Sequence, residues 1–140
     1  MFAGGSRYCW IYLNGILFVF GRRPYANWRR AYKKCREDCS GPAIILDEAQ
    51  NRMVAERFED PRKVWIGLRI YYDKRTRSSR LRWVDKTPVR FTALKTGVPH
   101  CNHGSRCGRI CFYMDHNSNW HSSKCRRRKY FYTVCSINMR

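Results

Sequence analysis

The chain has 140 residues, 44% of them apolar and 15% aromatic, which gives one domain with a real core and excludes a disordered basic tail. Lysine and arginine number 29 against 10 acids, a formal charge of +19, so the surface attracts polyanions with a strength that falls steeply with salt. No run approaches the roughly 18 apolar residues of a membrane span.

The charge is uneven. Residues 1–61 carry 10 basic and 7 acidic side chains, a net of +3, whereas residues 62–140 carry 19 and 3, a net of +16. Nucleic acid, sulfated glycan, anionic membrane and acidic protein all remain open as partners on charge alone. Charge kept only for solubility is the plain alternative.

In chain order, residues 9–20 form an apolar run split by Asn14-Gly15, a turn pair that predicts a hairpin of strands at about 9–13 and 16–20. The run imitates the apolar part of a signal peptide. The turn interrupts it, however, and Gly21-Arg22-Arg23-Pro24 follows where a small-residue cleavage site is needed. It is read as structure; a secreted chain would already have lost its signal.

Asn27 then caps a helix with Trp28, Ala31, Tyr32 and Cys35 on its inner face and Arg29, Arg30, Lys33 and Lys34 outside. Ser40-Gly41-Pro42 stops it, and residues 43–46 read as a strand or extended connection. Asp47 caps a second helix, with Glu48 in its first turn and Ala49, Met53, Val54 and Phe58 as its inward stripe; Asp60-Pro61 ends it.

Residues 64–72 are rich in aromatic and β-branched side chains and predict a strand. A basic turn at 74–79 leads to an alternating, half-buried strand at 80–84. Residues 86–109 form an irregular segment whose length signals function. Strands resume at 109–114 and 130–136. The order is that of a single α+β domain over residues 1–140.

The eight cysteines favour a disulfide framework and an oxidising, extracellular compartment. Structural zinc is the rival, because His100, His103, His116 and His121 share the cysteine-rich third; but there is no CxxC and no HxxxH spacing. No Ser-His-Asp, Cys-His or paired-carboxylate arrangement can be argued, so the chain reads as a non-enzyme.

Five landmarks, in order, resemble a C-type lectin-like domain over about residues 8–137. They are Trp28-x2-Ala31-x3-Cys35, Ala43-x2-Leu46 with the helix after Glu48, and the tetrapeptide Trp65-Ile66-Gly67-Leu68. Trp83-Val84-Asp85-x-Thr87-Pro88 follows, then Cys111-x8-Trp120-x4-Cys125-x9-Cys135. The resemblance implies a disulfide-stapled α+β fold with two helices, small antiparallel sheets and a long loop. It implies bridges Cys35–Cys135 and Cys111–Cys125, with Trp65, Ile66, Leu68, Trp83 and Trp120 in the core. Cys101 and Cys107, close together in the long loop, are paired. Cys9 stands where long-form members begin their N-terminal hairpin; its usual partner position is near Leu17, and Cys39 is the remaining candidate. A free, reactive Cys9 and Cys39 stay open.

Sugar-binding members hold calcium with Glu-Pro-Asn or Gln-Pro-Asp in the loop and a later Trp-Asn-Asp. The matching positions here are Val98-Pro99-His100 and Trp120-His121-Ser122, and Asp115 is the one acid within residues 86–135. Calcium wants six to eight oxygens, several of them carboxylate. The expectation is therefore no metal, no cofactor and no calcium-dependent sugar binding.

Cations stand in that place: Lys74, Arg75, Arg77, Arg80 and Arg82 after the tetrapeptide, Arg90, Lys95, Arg106 and Arg109 around the loop, and Arg126, Arg127, Arg128 and Lys129 before the last strand. Arginine's planar fork suits sulfate, phosphate and carboxylate. The expected partner is a sulfated glycosaminoglycan or other polyanion held by this collective patch, with nucleic acid bound only non-specifically. A cationic protein acting on anionic membranes, or one binding acidic protein in an extracellular matrix, are the alternatives.

Overall fold

The computed structural model describes residues 9–21, 24–25, 27–38, 40–58 and 62–140. β1 (Cys9–Leu13) and β2 (Ile16–Phe20) form the expected antiparallel hairpin. Asn14 and Gly15 take φ of 53° and 88° between them, the left-handed pair that a two-residue turn requires. In α1 (Trp28–Glu37), the Asn27 side chain accepts from Arg30 N, and Trp28, Ala31 and Cys35 are buried. Tyr32 departs from the expected stripe: it is exposed and lies stacked on Trp28.

α2 (Glu48–Arg57) is capped by Asp47 as expected, but its buried face is polar. Ala49 points to solvent, while Gln50 and Asn51 are buried beside Val54. Gln50 accepts from Leu46 N and donates to Leu13 O. Asn51 accepts from Trp120 Nε1 at 2.7 Å and donates to Ser118 O at 2.9 Å. Each amide donates to chain far away in sequence and has its oxygen satisfied as well, so its burial carries little penalty.

The remaining elements are β3 (Gly41–Pro42), β4 (Val64–Ile66), β5 (Leu68–Asp73), β6 (Ser78–Trp83), α3 (Gly104–Cys107), β7 (Ile110–Met114), β8 (Trp120–Lys124) and β9 (Tyr132–Asn138). The ladder falls on 41–42 rather than 43–46, and the following Ala43, Ile44 and Ile45 are buried in the core. One sheet runs β1-β2-β9-β4-β7-β8, with β3 also pairing β9; β5 and β6 form a separate pair. The large sheet is mixed, because β4 and β9 pair in parallel.

The single strand expected at 64–72 is two strands, parted at Gly67. A Cβ there would sit 2.6 Å from the carbonyl oxygen of Pro42, so backbone approaches backbone where no side chain fits. Trp65, Trp83, Trp120, Phe18 and Phe112 fill the interior and are essentially inaccessible.

Three disulfides close the frame: Cys35–Cys135, Cys101–Cys107 and Cys111–Cys125. The first joins α1 to β9 across 100 residues, a crosslink worth about 4–5 kcal/mol in the chain-entropy model. Among the described residues Cys9 is a free cysteine that accepts from Arg57 Nη2 at 2.6 Å; Cys39, and with it the expected Cys9–Cys39 pairing, lies outside the described residues. Among the described residues no helix is long and apolar enough to cross a membrane.

Candidate functional site

The β5–β6 hairpin separates its two faces by strand alternation. Leu68, Ile70 and Trp83 turn into the core. On the other face the register sets Arg69 opposite Arg82 and Tyr71 opposite Arg80. Arg80 and Arg82 thus share a face, as their spacing predicts. The Arg82 guanidinium lies 4.5 Å over the Tyr71 ring. Arg80 is paired at 3.5 Å with Asp73, whose carboxyl is held below its ordinary pKa chiefly by the Arg75 backbone N–H. Lys74, Arg75 and Arg77 crown the turn and are exposed.

Sequence reasoning missed Arg69. It is half-buried, with its guanidinium 4.6 Å over the Trp28 ring. Nη1 donates to Cys111 Sγ at 2.8 Å and Nη2 to Gly108 O at 3.0 Å. Burial first, then the charges of Arg29 and Arg82, lower its pKa; arginine stays charged regardless. The signal was present, because a hairpin turn at 74–77 places residue 69 across from residue 82.

The other expected cations scatter. Arg106 in α3 and Arg109 before β7 stand near Arg69, since Gly108 receives its hydrogen bond, and Arg109 O accepts from Cys125 N next to Arg126. Arg126, Arg127, Arg128 and Lys129 are exposed along the β8–β9 connection. There Lys63 lies over the Phe131 and Tyr113 rings, and Arg62 over Tyr132. Arg90 falls elsewhere, in a groove of about 700 Å³ shared with Asp47, Asn138 and Arg140. Lys95 is exposed, with its backbone tied to Trp120 O. The hairpin face is the grouping in which the register itself sets arginine against arginine, Arg69 opposite Arg82 with Arg80 two residues along; the other expected cations lie on separate elements.

The positions matching the family's calcium motifs do not fit that ion. Val98 and His100 are exposed, Trp120 is a core residue, and none of the six positions carries a carboxylate. Asp115 is engaged in the β7–β8 turn, accepting from Asn117 N, Asn119 N and His121 Nε2, the last at 2.7 Å. Among the described residues no cluster of three His, Cys, Asp or Glu is placed to hold a metal. Disulfide bonding takes up the sulfurs that zinc would need.

Residues 25–137 match the family model described as the Lectin C-type domain. The chain is 24% identical over 127 residues to human FRAS1-related extracellular matrix protein 1, covering 91% of this chain and 6% of that protein. Only a small part of that long relative is therefore represented. The structure of the C-type lectin CEL-I from Cucumaria echinata matches with a TM-score of 0.72 at 15% identity, over 94% of this chain and 96% of that one. A calcium-independent type II antifreeze protein matches with a TM-score of 0.69 at 18% identity, over 92% and 91%. At these identities the two structures show a shared fold.

Proposed function

The chain belongs to the C-type lectin domain family, and from that premise we propose that it is a secreted, non-enzymatic binding protein that recognises sulfated glycosaminoglycans without calcium. The observation that carries this reading is the hairpin face, where Arg69, Arg80 and Arg82 stand across two adjacent strands with Asp73 as the one acid. Like charges directly opposite in a sheet are unfavourable, and a polyanion relieves that repulsion. The calcium-motif positions support the same reading, since they offer no carboxylate. The fold relative titled a calcium-independent antifreeze protein is a precedent for this scaffold without the ion.

Heparin chromatography tests it. The protein should elute from heparin at higher salt than from a plain cation exchanger of equal charge density, and a calcium chelator should change nothing. Equal elution from both columns would reduce the idea to generic charge. A matrix-protein partner with an acidic surface is the second reading, favoured by the relative named an extracellular matrix protein; it predicts retention no better than cation exchange.

A further inference from the structure

Arg69 breaks a rule that holds for most half-buried charges. Such groups are paired with an opposite charge, because desolvating an unpaired ion is costly. Among the described residues no carboxylate lies within salt-bridge distance of Arg69, Arg82 or Arg29. The nearest acid on this face, Asp73, is taken by Arg80. Arg69 sits beside a neutral disulfide and one backbone carbonyl, and Arg82 is its direct cross-strand partner. Arg29, the residue of α1 after Trp28, is exposed and close enough for its charge to act on Arg69, whose guanidinium lies over the Trp28 ring.

The rings also decide which donors are left. The Arg69 guanidinium carbon lies 4.6 Å over the Trp28 ring and that of Arg82 4.5 Å over the Tyr71 ring. A cation placed over an aromatic face is attracted to it without spending an N–H on an oxygen acceptor, so its N–H groups stay free for an anion. Arg69 uses Nη1 and Nη2 on protein acceptors, and its Nε–H has no acceptor among the described residues. Arg82 and Arg29 donate to none of them either.

We propose that Arg29, Arg69 and Arg82 form a discrete site for one tetrahedral oxyanion, a sulfate group of the glycan, gripped by guanidinium N–H groups that Trp28 and Tyr71 hold in place. The source of the sulfate rests on the glycosaminoglycan reading above; the site itself does not. Charge-assisted bonds to a tetrahedral anion are directional and strong. The three arginines therefore outweigh an equal number of exposed cations on the β8–β9 connection, which have no such backing.

The test is titration of the whole chain with inorganic sulfate at constant ionic strength, following the arginine side-chain Nε–H signals by NMR. Saturable shifts are expected at Arg69, Arg82 and Arg29. R82Q should weaken sulfate binding about tenfold, and R82K, which keeps the charge but not the fork, by an intermediate factor. R29Q, a second exposed variant, should weaken it likewise, and R52Q, which removes the same charge from the exposed side of α2, should stay within about twofold of the wild type. Amide spectra check that each variant folds. Linear, unsaturable shifts in the wild type, or equal losses in R82Q and R52Q, overturn the site. If sulfate saturates these arginines while heparin retention proves generic, the glycan reading falls and the oxyanion site stands.

Discussion

The β5–β6 hairpin and the 86–103 segment leave the same buried indole, Trp83, yet they treat charge in opposite ways. The hairpin crowds Arg69, Arg80 and Arg82 onto one face. The segment spaces Lys86, Arg90 and Lys95 along irregular chain. The difference follows from what fixes each backbone. The hairpin has a six-pair ladder and a sealed apolar face, so its geometry is set before its charges meet. The segment has no ladder of its own and hangs from its neighbours. Ala93 O accepts from Trp120 N and Trp120 O from Lys95 N, Phe91 packs edge-on against the Trp120 ring, and Ser79 holds Cys101. Like-charge crowding is tolerable only on the region that is independently rigid.

The strongest way to break this contrast is to loosen Trp120. Asn51→Ala leaves the buried Trp120 N–H without its acceptor and releases Ser118 O. A loss of about 2–3 kcal/mol in urea unfolding is expected. Hydrogen exchange should accelerate at Lys95 and Trp120, whose amides fasten the segment, while residues 69–82 keep their protection. Equal acceleration in both regions would show that the hairpin is no more self-supporting than the segment.

Ser79→Ala cuts a smaller tie. The Ser79 hydroxyl accepts from Cys101 N and donates to Cys101 O, both at 2.8 Å, and its removal should cost about 1–2 kcal/mol. Exchange near Cys101 should rise while the salt needed to elute the protein from heparin stays the same. A parallel fall in heparin retention would mean that the segment shares in binding, and the division between the two regions would fail.

Much of the scaffold was legible because its signals are local. Asn14-Gly15 dictates its own turn, Trp28, Ala31 and Cys35 mark a helix face by spacing, and Trp65 to Leu68 fall in the core as the resemblance implied. What stayed hidden depends on distant chain. Gln50 and Asn51 look like surface residues until Leu13 O and Ser118 O arrive, 37 and 67 residues away. β8, with the sequence WHSSK, has little strand propensity and owes its conformation to β7. The parallel pairing of β4 with β9 leaves no mark in either segment. Arg69 was passed over because its meaning lies across the hairpin, in Arg82, and on the ring of Trp28. The collective basic character was legible, but its focus was not.

Asp115 sharpens the contrast with the smallest effect. It is the only acid between residues 86 and 135, and it serves the β7–β8 turn rather than the segment. Burial raises its pKa, but the His121 hydrogen bond, the Asn119 and Asn117 backbone bonds and the His121 charge outweigh that and leave the carboxyl below its ordinary value. A carboxyl with a lowered folded pKa stabilises the fold fully above the unfolded value, near pH 4, and that contribution disappears as pH falls through the folded pKa. Asp115→Asn should therefore cost less than about 1 kcal/mol at neutral pH, given the exposure of the pair. The gap from the wild type, measured by urea unfolding, should close well below about pH 4. A gap that persists at low pH would assign the effect to turn geometry. One that closes shows that the single carboxylate of this region is committed to its turn and unavailable to a cation in the neighbouring segment.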